Sequence, residues 1–254
     1  MRHRLYLVGL TIILLCFGLG ILSTLVAQDD DPTPTPTNES QPDEEERWTF
    51  LIIGVDRFDK PDPLLMAIWL AIHRIPEEEV VLLGIPLDYE VDGGEKKTLR
   101  DIFSISDRGE VTRRFMDGIE SVLPHGKPDA MAVMDEIFFA ELVDYIGGVP
   151  SGDDILSGQA VVAAQRLISG EPDALQFMQK RILETLRFKL PLLDLSTPIT
   201  SLTDLIPEHC VVTIEPAQLI YMASPLMPLV PETIRIELMP ASTESSTPSD
   251  LIND

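Results

Sequence analysis

Two aspartates lie close together after a strongly apolar segment, and these side chains are well suited to chemistry. Asp56 follows the apolar residues Phe50 to Val55, and Asp62 comes six positions later, after a short loop. Two carboxylates on one loop can hold a hard cation such as Mg²⁺, which prefers oxygen ligands and keeps several waters. The spacing alone leaves a second interpretation open, in which both are ordinary solvated loop acids.

The segments around these acids read as buried strands. Apolar residues dominate positions 48–55, 64–73 and 80–85, and the third segment ends in Pro86-Leu87-Asp88-Tyr89. Short apolar runs bounded by turn residues are typical of strands buried on both faces, although the Met and Ala residues of the second segment also permit a helix. Asp56 and Asp88 then fall at strand ends, where open α/β sheets bind their ligands.

The rest of the chain alternates between helical and strand patterns. The apolar spacing predicts helices over residues 111–123, 135–146, 157–167 and 173–188, and strands over residues 130–134, 210–214 and 233–238. Asp135 is the expected N-cap of the second helix, and Gly147-Gly148 its stop. We therefore predict an α/β fold of three layers, α-β-α, in which helices cover both faces of a central mixed sheet.

The charge of the chain excludes one class of partner. The formal net charge is −23. Eight of the 42 acids and two of the 19 bases lie before Arg47, so the remainder carries 34 acids against 17 bases. Binding to nucleic acid depends on Lys and Arg neutralising phosphates, so a nucleic-acid partner is not expected. A polyanionic substrate would need a local basic pocket or a divalent cation.

The N-terminal segment predicts attachment to a membrane. Residues 5–27 are an apolar run of 23, preceded by Arg2, His3 and Arg4 and followed by three aspartates. This run can span a bilayer, and the positive flank places residues 1–4 in the cytoplasm. We predict a single-pass cell-membrane protein with its C-terminal domain outside the cytoplasm; a cleaved signal peptide is the alternative.

Beyond the apolar run the sequence predicts one folded domain between two irregular segments. Residues 28–46 are an acidic Pro/Thr linker, residues 47–240 one domain, and residues 241–254 a disordered Ser/Thr/Pro-rich tail. Cys16 and Cys210, one in the span and one in the domain, cannot form a bridge within that domain. His73, His125 and His209 lack metal-ligand spacing, so structural or surface roles are expected.

Several stretches share their order and spacing with one bacterial family. A strand ends in Gly54-Val55-Asp56, and Lys60-Pro61-Asp62 precedes the next apolar segment. Residues 130–149 end in Gly-Gly-Val, and residues 156–166 end at Arg166. Together they resemble the LytR-CpsA-Psr family, which attaches polymers to bacterial cell walls, and the likeness covers roughly residues 48–186.

The resemblance implies a reaction and a set of site residues. The family transfers a glycan phosphate from a polyprenyl pyrophosphate lipid to a peptidoglycan hydroxyl. By resemblance, Asp56 and Asp62 would hold Mg²⁺ and act in catalysis together with Arg166. Further contacts with the substrate are expected from Arg57, Lys60, Asp88, Lys180 and Arg181.

The chain departs from the family at several arginines. Leu87 stands where the family has arginine after Ile-Pro, and Ile168 replaces the second member of an Arg-x-Arg pair. The family's later helix reads Asp-x-x-Arg-x-x-Arg. Here Asp173 is followed by Gln176, Gln179, Lys180 and Arg181, and the two bases fall one or two positions late.

These losses leave two main hypotheses. One is a Mg²⁺-dependent glycopolymer phosphotransferase. The other is a catalytically degenerate envelope protein that binds polyprenyl phosphate or glycan on the same fold. A purely structural envelope protein is a third alternative.

Overall fold

The structure is a computed structural model, and it describes residues 47–60, 62–74, 79–91, 97–106, 110–123, 126–189, 204–206, 208–214 and 230–240. The expected membrane span (5–27), linker (28–46) and tail (241–254) lie outside these ranges, as does His125. None of the helices within the described ranges has the length and apolar character needed to cross a membrane.

The described residues build a six-stranded mixed sheet. In chain order the strands are β1 (Arg47–Val55), β2 (Leu65–Arg74), β3 (Glu79–Gly84), β4 (Glu90–Val91), β5 (Lys97–Thr98), β6 (Ala130–Asp135), β7 (Val149–Ser151), β8 (Asp154–Leu156), β9 (Cys210–Val212) and β10 (Ile234–Leu238). The large sheet has the order β10-β3-β2-β1-β6-β9, while β4-β5 and β7-β8 form two-stranded sheets. Strand β2 runs antiparallel to β1 and β3, and β6 runs parallel to β1.

Helices cover both faces of the large sheet, as predicted. They are α1 (Leu99–Ile102), α2 (Arg113–Val122), α3 (Glu136–Tyr145), α4 (Gly158–Leu167) and α5 (Pro172–Lys189), with a 3-10 turn at Pro231–Thr233. Alternate residues of β1 point to opposite faces. Leu51 and Ile53 pack in one core with α1 and α2, whereas Phe50 and Ile52 pack in a second core with α3, α4 and α5.

The local signals in the sequence set the bounds of helix α3. The carboxylate of Asp135 accepts hydrogen bonds from the backbone N–H of Ile137 and Phe138, which are otherwise unpaired at a helix start. Gly147 and Gly148 follow the helix, both with φ of +80°. That conformation suits glycine because an L side chain there is strained, so the predicted stop is confirmed.

Helices α3 and α4 approach each other at Gly158. A Cβ built on Gly158 would lie 1.9 Å from the carbonyl oxygen of Ala140. The N–H of Gly158 also donates to the Asp144 carboxylate at 2.7 Å. The glycine in the Leu156-Ser157-Gly158 stretch therefore permits a close helix contact that a larger residue would prevent.

Candidate functional site

Several of the predicted site residues meet at one edge of the sheet. Strands β1 and β6 are parallel, and Val55 pairs with Asp135, so both strands end at this edge. Asp56 follows β1 directly, and its carbonyl accepts a hydrogen bond from the N–H of Glu136 at 3.4 Å. Asp56, Asp135 and Glu136 are thus gathered at carboxyl ends of parallel strands, where α/β sheets bind ligands.

The Asp56 carboxylate is buried, and both of its oxygens accept hydrogen bonds. Its residue is only 4% exposed. One oxygen accepts hydrogen bonds from the backbone N–H of Arg57 and of Leu64, each at 2.8 Å. The other oxygen accepts from the Lys60 ammonium at 2.5 Å. The negative charge is thereby balanced within its own loop.

Two arginines complete a charged rim, which we define as Asp56, Arg57, Lys60, Glu136 and Arg166. Arg166, near the end of α4, donates from Nε to the Glu136 carboxylate at 2.8 Å and makes a second contact with the same group. Arg57 forms a two-pronged pair with the exposed Asp59. That hydrogen bond and its charge raise the pKa of Arg57, and Glu136 adds a smaller effect in the same direction. The rim carries three cations, each already paired with a carboxylate.

Asp62 does not join Asp56 in the described contacts. It is exposed, and the hydrogen bonds of the Asp56 carboxylate come from Arg57, Lys60 and Leu64. Within the described ranges, no group of three or more His, Cys, Asp or Glu side chains is placed to hold a metal ion. As arranged, the two aspartates do not fit a Mg²⁺ ion, because Lys60 occupies the carboxylate oxygen that a cation would need. Mg²⁺ binding stays a prediction from the resemblance.

The turn after β3 carries Leu87 and Asp88. Leu87 is buried in the core that includes residues of α1 and α2. Asp88 is half-buried, and one carboxylate oxygen has no hydrogen-bond partner among the described residues. The backbone N–H of Arg100 donates to the Leu87 carbonyl at 2.8 Å, which ties Arg100 to this turn. The guanidinium of Arg100 donates to the Ser169 carbonyl at 3.3 Å.

The bases of α5 do not reach the rim. Arg181 is exposed and lies 3.5 Å from the carbonyl of Pro150 in β7, beyond the far end of α3. The length of α3, about 15 Å for its ten residues, separates that end from Glu136. Lys180 is half-buried, and no described contact joins it to the rim. The structure does not bring these two predicted binding residues together with Asp56.

The two positions that match the family's arginines on α5 instead bind backbone. Gln179 is buried, donates to the Met66 carbonyl at 2.6 Å and accepts from the Trp69 indole at 3.3 Å. Gln176 donates to the Gly84 carbonyl at 3.0 Å. Both amides fasten α5 to strands of the sheet and carry no charge that could neutralise a phosphate.

An apolar cavity opens beside the rim, between the sheet and helices α3, α4 and α5. Its empty volume is about 810 Å³ including the mouth, and Glu136 belongs to both the rim and the cavity wall. Polar groups enter the wall at only a few further positions: Asp135, Gln165 and Gln179. The other lining residues include Ile52, Gly54, Val55, Met66, Ala67, Trp69, Leu82, Met134, Phe139, Leu142, Val162, Ile182, Leu183 and Leu186.

Glu136 and His209 had no signal in the sequence. Glu136 follows the helix cap Asp135 and reads as an ordinary first-turn acid, and its partner Arg166 lies 30 positions away. The His209 Nδ1 lies 2.7 Å from the Asp135 carboxylate across 74 positions. Only the pairing of β6 with β9 brings this histidine to the same edge. Spacing along the chain could not have indicated either contact.

Comparison with solved structures supports the predicted fold. TagV of Bacillus subtilis is 14% identical, with a TM-score of 0.60 over 81% of this chain and 89% of that one. The regulator yvhJ of Bacillus subtilis is 15% identical, with a TM-score of 0.57 over 81% and 88%. TagT bound to LI-WTA is 15% identical, with a TM-score of 0.55 over 80% and 81%.

These likenesses show the fold, which is that of the LytR-CpsA-Psr proteins TagV and TagT. No family model matches the sequence, and no curated protein matches it.

Proposed function

We propose, from this shared fold as premise, that the chain is a cell-envelope protein that binds a polyprenyl phosphate-linked glycan. The lipid tail would lie in the apolar cavity and the phosphate at the charged rim. The observation that carries the proposal is that the cavity and the charged rim are continuous, since Glu136 belongs to the cavity wall and to the rim. The predicted anchor at residues 5–27 would hold the domain at the membrane surface where such lipids reside.

The cavity has the chemistry for a hydrocarbon tail. It opens to solvent at its mouth and is lined mainly by apolar side chains, as small-ligand sites usually are. Buried Trp69 and Val162 contribute to a predominantly apolar wall. Burying a prenyl chain there is favourable by roughly 25 cal/mol for each Å² of apolar surface removed from water.

The rim has the charge for a phosphate group. Arg57, Lys60 and Arg166 are partly exposed on their outer sides, with side-chain exposures of 43%, 47% and 55%. Arginine and lysine are the usual cationic partners of phosphate oxygens. A bound phosphate would accept hydrogen bonds from these cations, which now form ion pairs with carboxylates.

Binding is better supported than turnover. Phosphoryl transfer needs several cations directed at the charge that develops on the transferred group. Two family arginine positions on α5 are the neutral Gln176 and Gln179, and Leu87 is buried in the core. No contact among the described residues joins Lys180 or Arg181 to the rim.

The second candidate is phosphotransfer of the lipid-linked glycan to peptidoglycan. The presence of Arg57, Lys60 and Arg166 in one rim favours it, because those cations offer partial compensation for the missing arginines. TagT, which shares the fold, has been seen with LIIa-WTA. The predicted Mg²⁺ remains part of this second candidate.

One experiment separates the two candidates. The purified domain is titrated with geranylgeranyl phosphate by calorimetry, and separately incubated with a polyprenyl pyrophosphate-linked glycan and a peptidoglycan acceptor. The proposal predicts saturable binding without release of polyprenyl phosphate. Release would support the transferase, and absence of binding by folded protein would refute both.

A matched pair of variants tests the place of the tail. Ala67→Phe fills the cavity, since Ala67 lines it, whereas Ala163→Phe adds the same ring on the exposed side of α4. We expect the first to weaken binding of geranylgeranyl phosphate and the second to leave it unchanged. Thermal melts of both variants confirm that they fold.

A further inference from the structure

We propose that Lys60 takes the place of a divalent cation at Asp56, so that this site binds a phosphate without metal. The inference deepens the proposed function and rests on it. It starts from a disagreement: the resemblance implies Mg²⁺ between Asp56 and Asp62, but the arrangement of the residues does not fit one.

The Asp56 carboxylate has little capacity left for a metal. One of its oxygens already accepts two backbone hydrogen bonds, from Arg57 and Leu64. The second oxygen lies 2.5 Å from the Lys60 ammonium. An incoming Mg²⁺ would have to displace that ammonium from Asp56. No described contact places Asp62 beside Asp56 as a second ligand for the ion.

Lys60 is also placed to serve a ligand. The Asp56 side chain is 5% exposed, while that of Lys60 is 47% exposed. The Lys60 side chain therefore ends on a buried carboxylate while about half of its surface is open to solvent. Since Lys carries three N–H donors, it can keep the bond to Asp56 and still donate to a phosphate oxygen.

This arrangement replaces the bridging role of a metal ion with a side chain. A divalent ion in such sites joins protein carboxylates to substrate phosphates. Lys60 makes the same bridge with one positive charge instead of two. The reduced charge agrees with a site that holds a phosphate rather than one that stabilises its transfer.

The test uses Lys60→Met, which keeps much of the side-chain length and removes the charge. Lys127→Met is the matched control, because Lys127 is exposed and precedes β6, at the end of that strand away from Asp56. Each protein is titrated with Mg²⁺ alone, and with geranylgeranyl phosphate in EDTA and in Mg²⁺.

We expect wild type and Lys127→Met to bind geranylgeranyl phosphate equally in EDTA and in Mg²⁺, and to show no saturable Mg²⁺ binding. Lys60→Met should lose about ten- to a hundredfold in affinity in EDTA, as expected when one charge-assisted hydrogen bond is removed. It should regain part of that affinity in Mg²⁺, because the ion can now reach Asp56.

Two results would overturn the inference: binding by wild type that requires Mg²⁺, or saturable Mg²⁺ binding by wild type that Lys60→Met leaves unchanged. If wild type binds no geranylgeranyl phosphate, the proposed function fails, while the titration with Mg²⁺ alone still decides whether Lys60 excludes the ion. A thermal melt checks the fold of Lys60→Met, and the EDTA comparison on wild type stands without any variant.

Discussion

Replacing Glu136 with glutamine should strengthen phosphate binding. Glu136 holds Arg166 through two contacts, and the pair is asymmetric: the Glu136 side chain is 11% exposed and the Arg166 side chain 55%. In Glu136→Gln the shape is kept while the negative charge is lost. Arg166 is then released to a phosphate group, and the net charge of the rim rises by one.

The size of the effect follows from the exposure of the pair. Ion pairs open to solvent contribute about 0.2–1 kcal/mol because water screens them. Since Arg166 is more than half exposed, we take about 1 kcal/mol as the upper value for releasing it. A free energy of 1.4 kcal/mol corresponds to roughly tenfold in affinity, so the gain should be at most about fivefold.

The assay is calorimetric titration with geranylgeranyl phosphate at low ionic strength. Glu141→Gln is the control, because it removes a carboxylate from the same helix outside the cavity lining. The gain should disappear when Glu136→Gln is combined with Arg166→Met. Unchanged or weaker binding by Glu136→Gln would refute the idea that Glu136 restrains a phosphate-binding arginine.

Three further predictions concern the fold. Gly158→Ala should lower the free energy of unfolding by about 3 kcal/mol in urea titrations, because the new Cβ would overlap the Ala140 carbonyl. The control Gly170→Ala should change the free energy of unfolding by less than about 1 kcal/mol, because the space around Gly170 is open. Burial raises the pKa of the Cys210 thiol, so peptide mapping should find Cys210 unmodified by a maleimide until the protein is unfolded. Burial lowers the pKa of His73 below its ordinary 6.5, so His73 binds a proton more readily in the unfolded chain than in the folded one. The free energy of unfolding should therefore fall as the pH drops below 6.5, and the urea midpoint of His73→Leu should lose this part of the pH dependence.

The elements of the fold could be predicted because their signals are local. The helix over α2 followed from the spacing of Phe115, Ile119 and Val122, all of which are buried. Asp135 was recognisable as a cap from its place before an apolar helix. The hairpins β4-β5 and β7-β8 were missed, since strands of two and three residues are too short to show a period.

The site was predictable only where its contacts are short in sequence. Asp56 and Lys60 lie four positions apart in one loop, so their meeting is local. Whether Arg166 would face substrate or a carboxylate depended on the packing of α4 against α3, which the sequence does not state. The absence of Arg181 from the rim likewise follows from how α5 crosses the sheet, not from its spacing.

Photo-crosslinking tests the central claim most directly, namely that the apolar cavity holds a prenyl tail with its phosphate at the rim. A prenyl phosphate that carries a diazirine near the end of its chain is irradiated with the protein, and the adducts are mapped by mass spectrometry. We predict adducts on cavity residues such as Met66, Phe139 and Ile182, which Ala67→Phe should suppress. Adducts confined to the outer surface, or unaffected by Ala67→Phe, would contradict the claim.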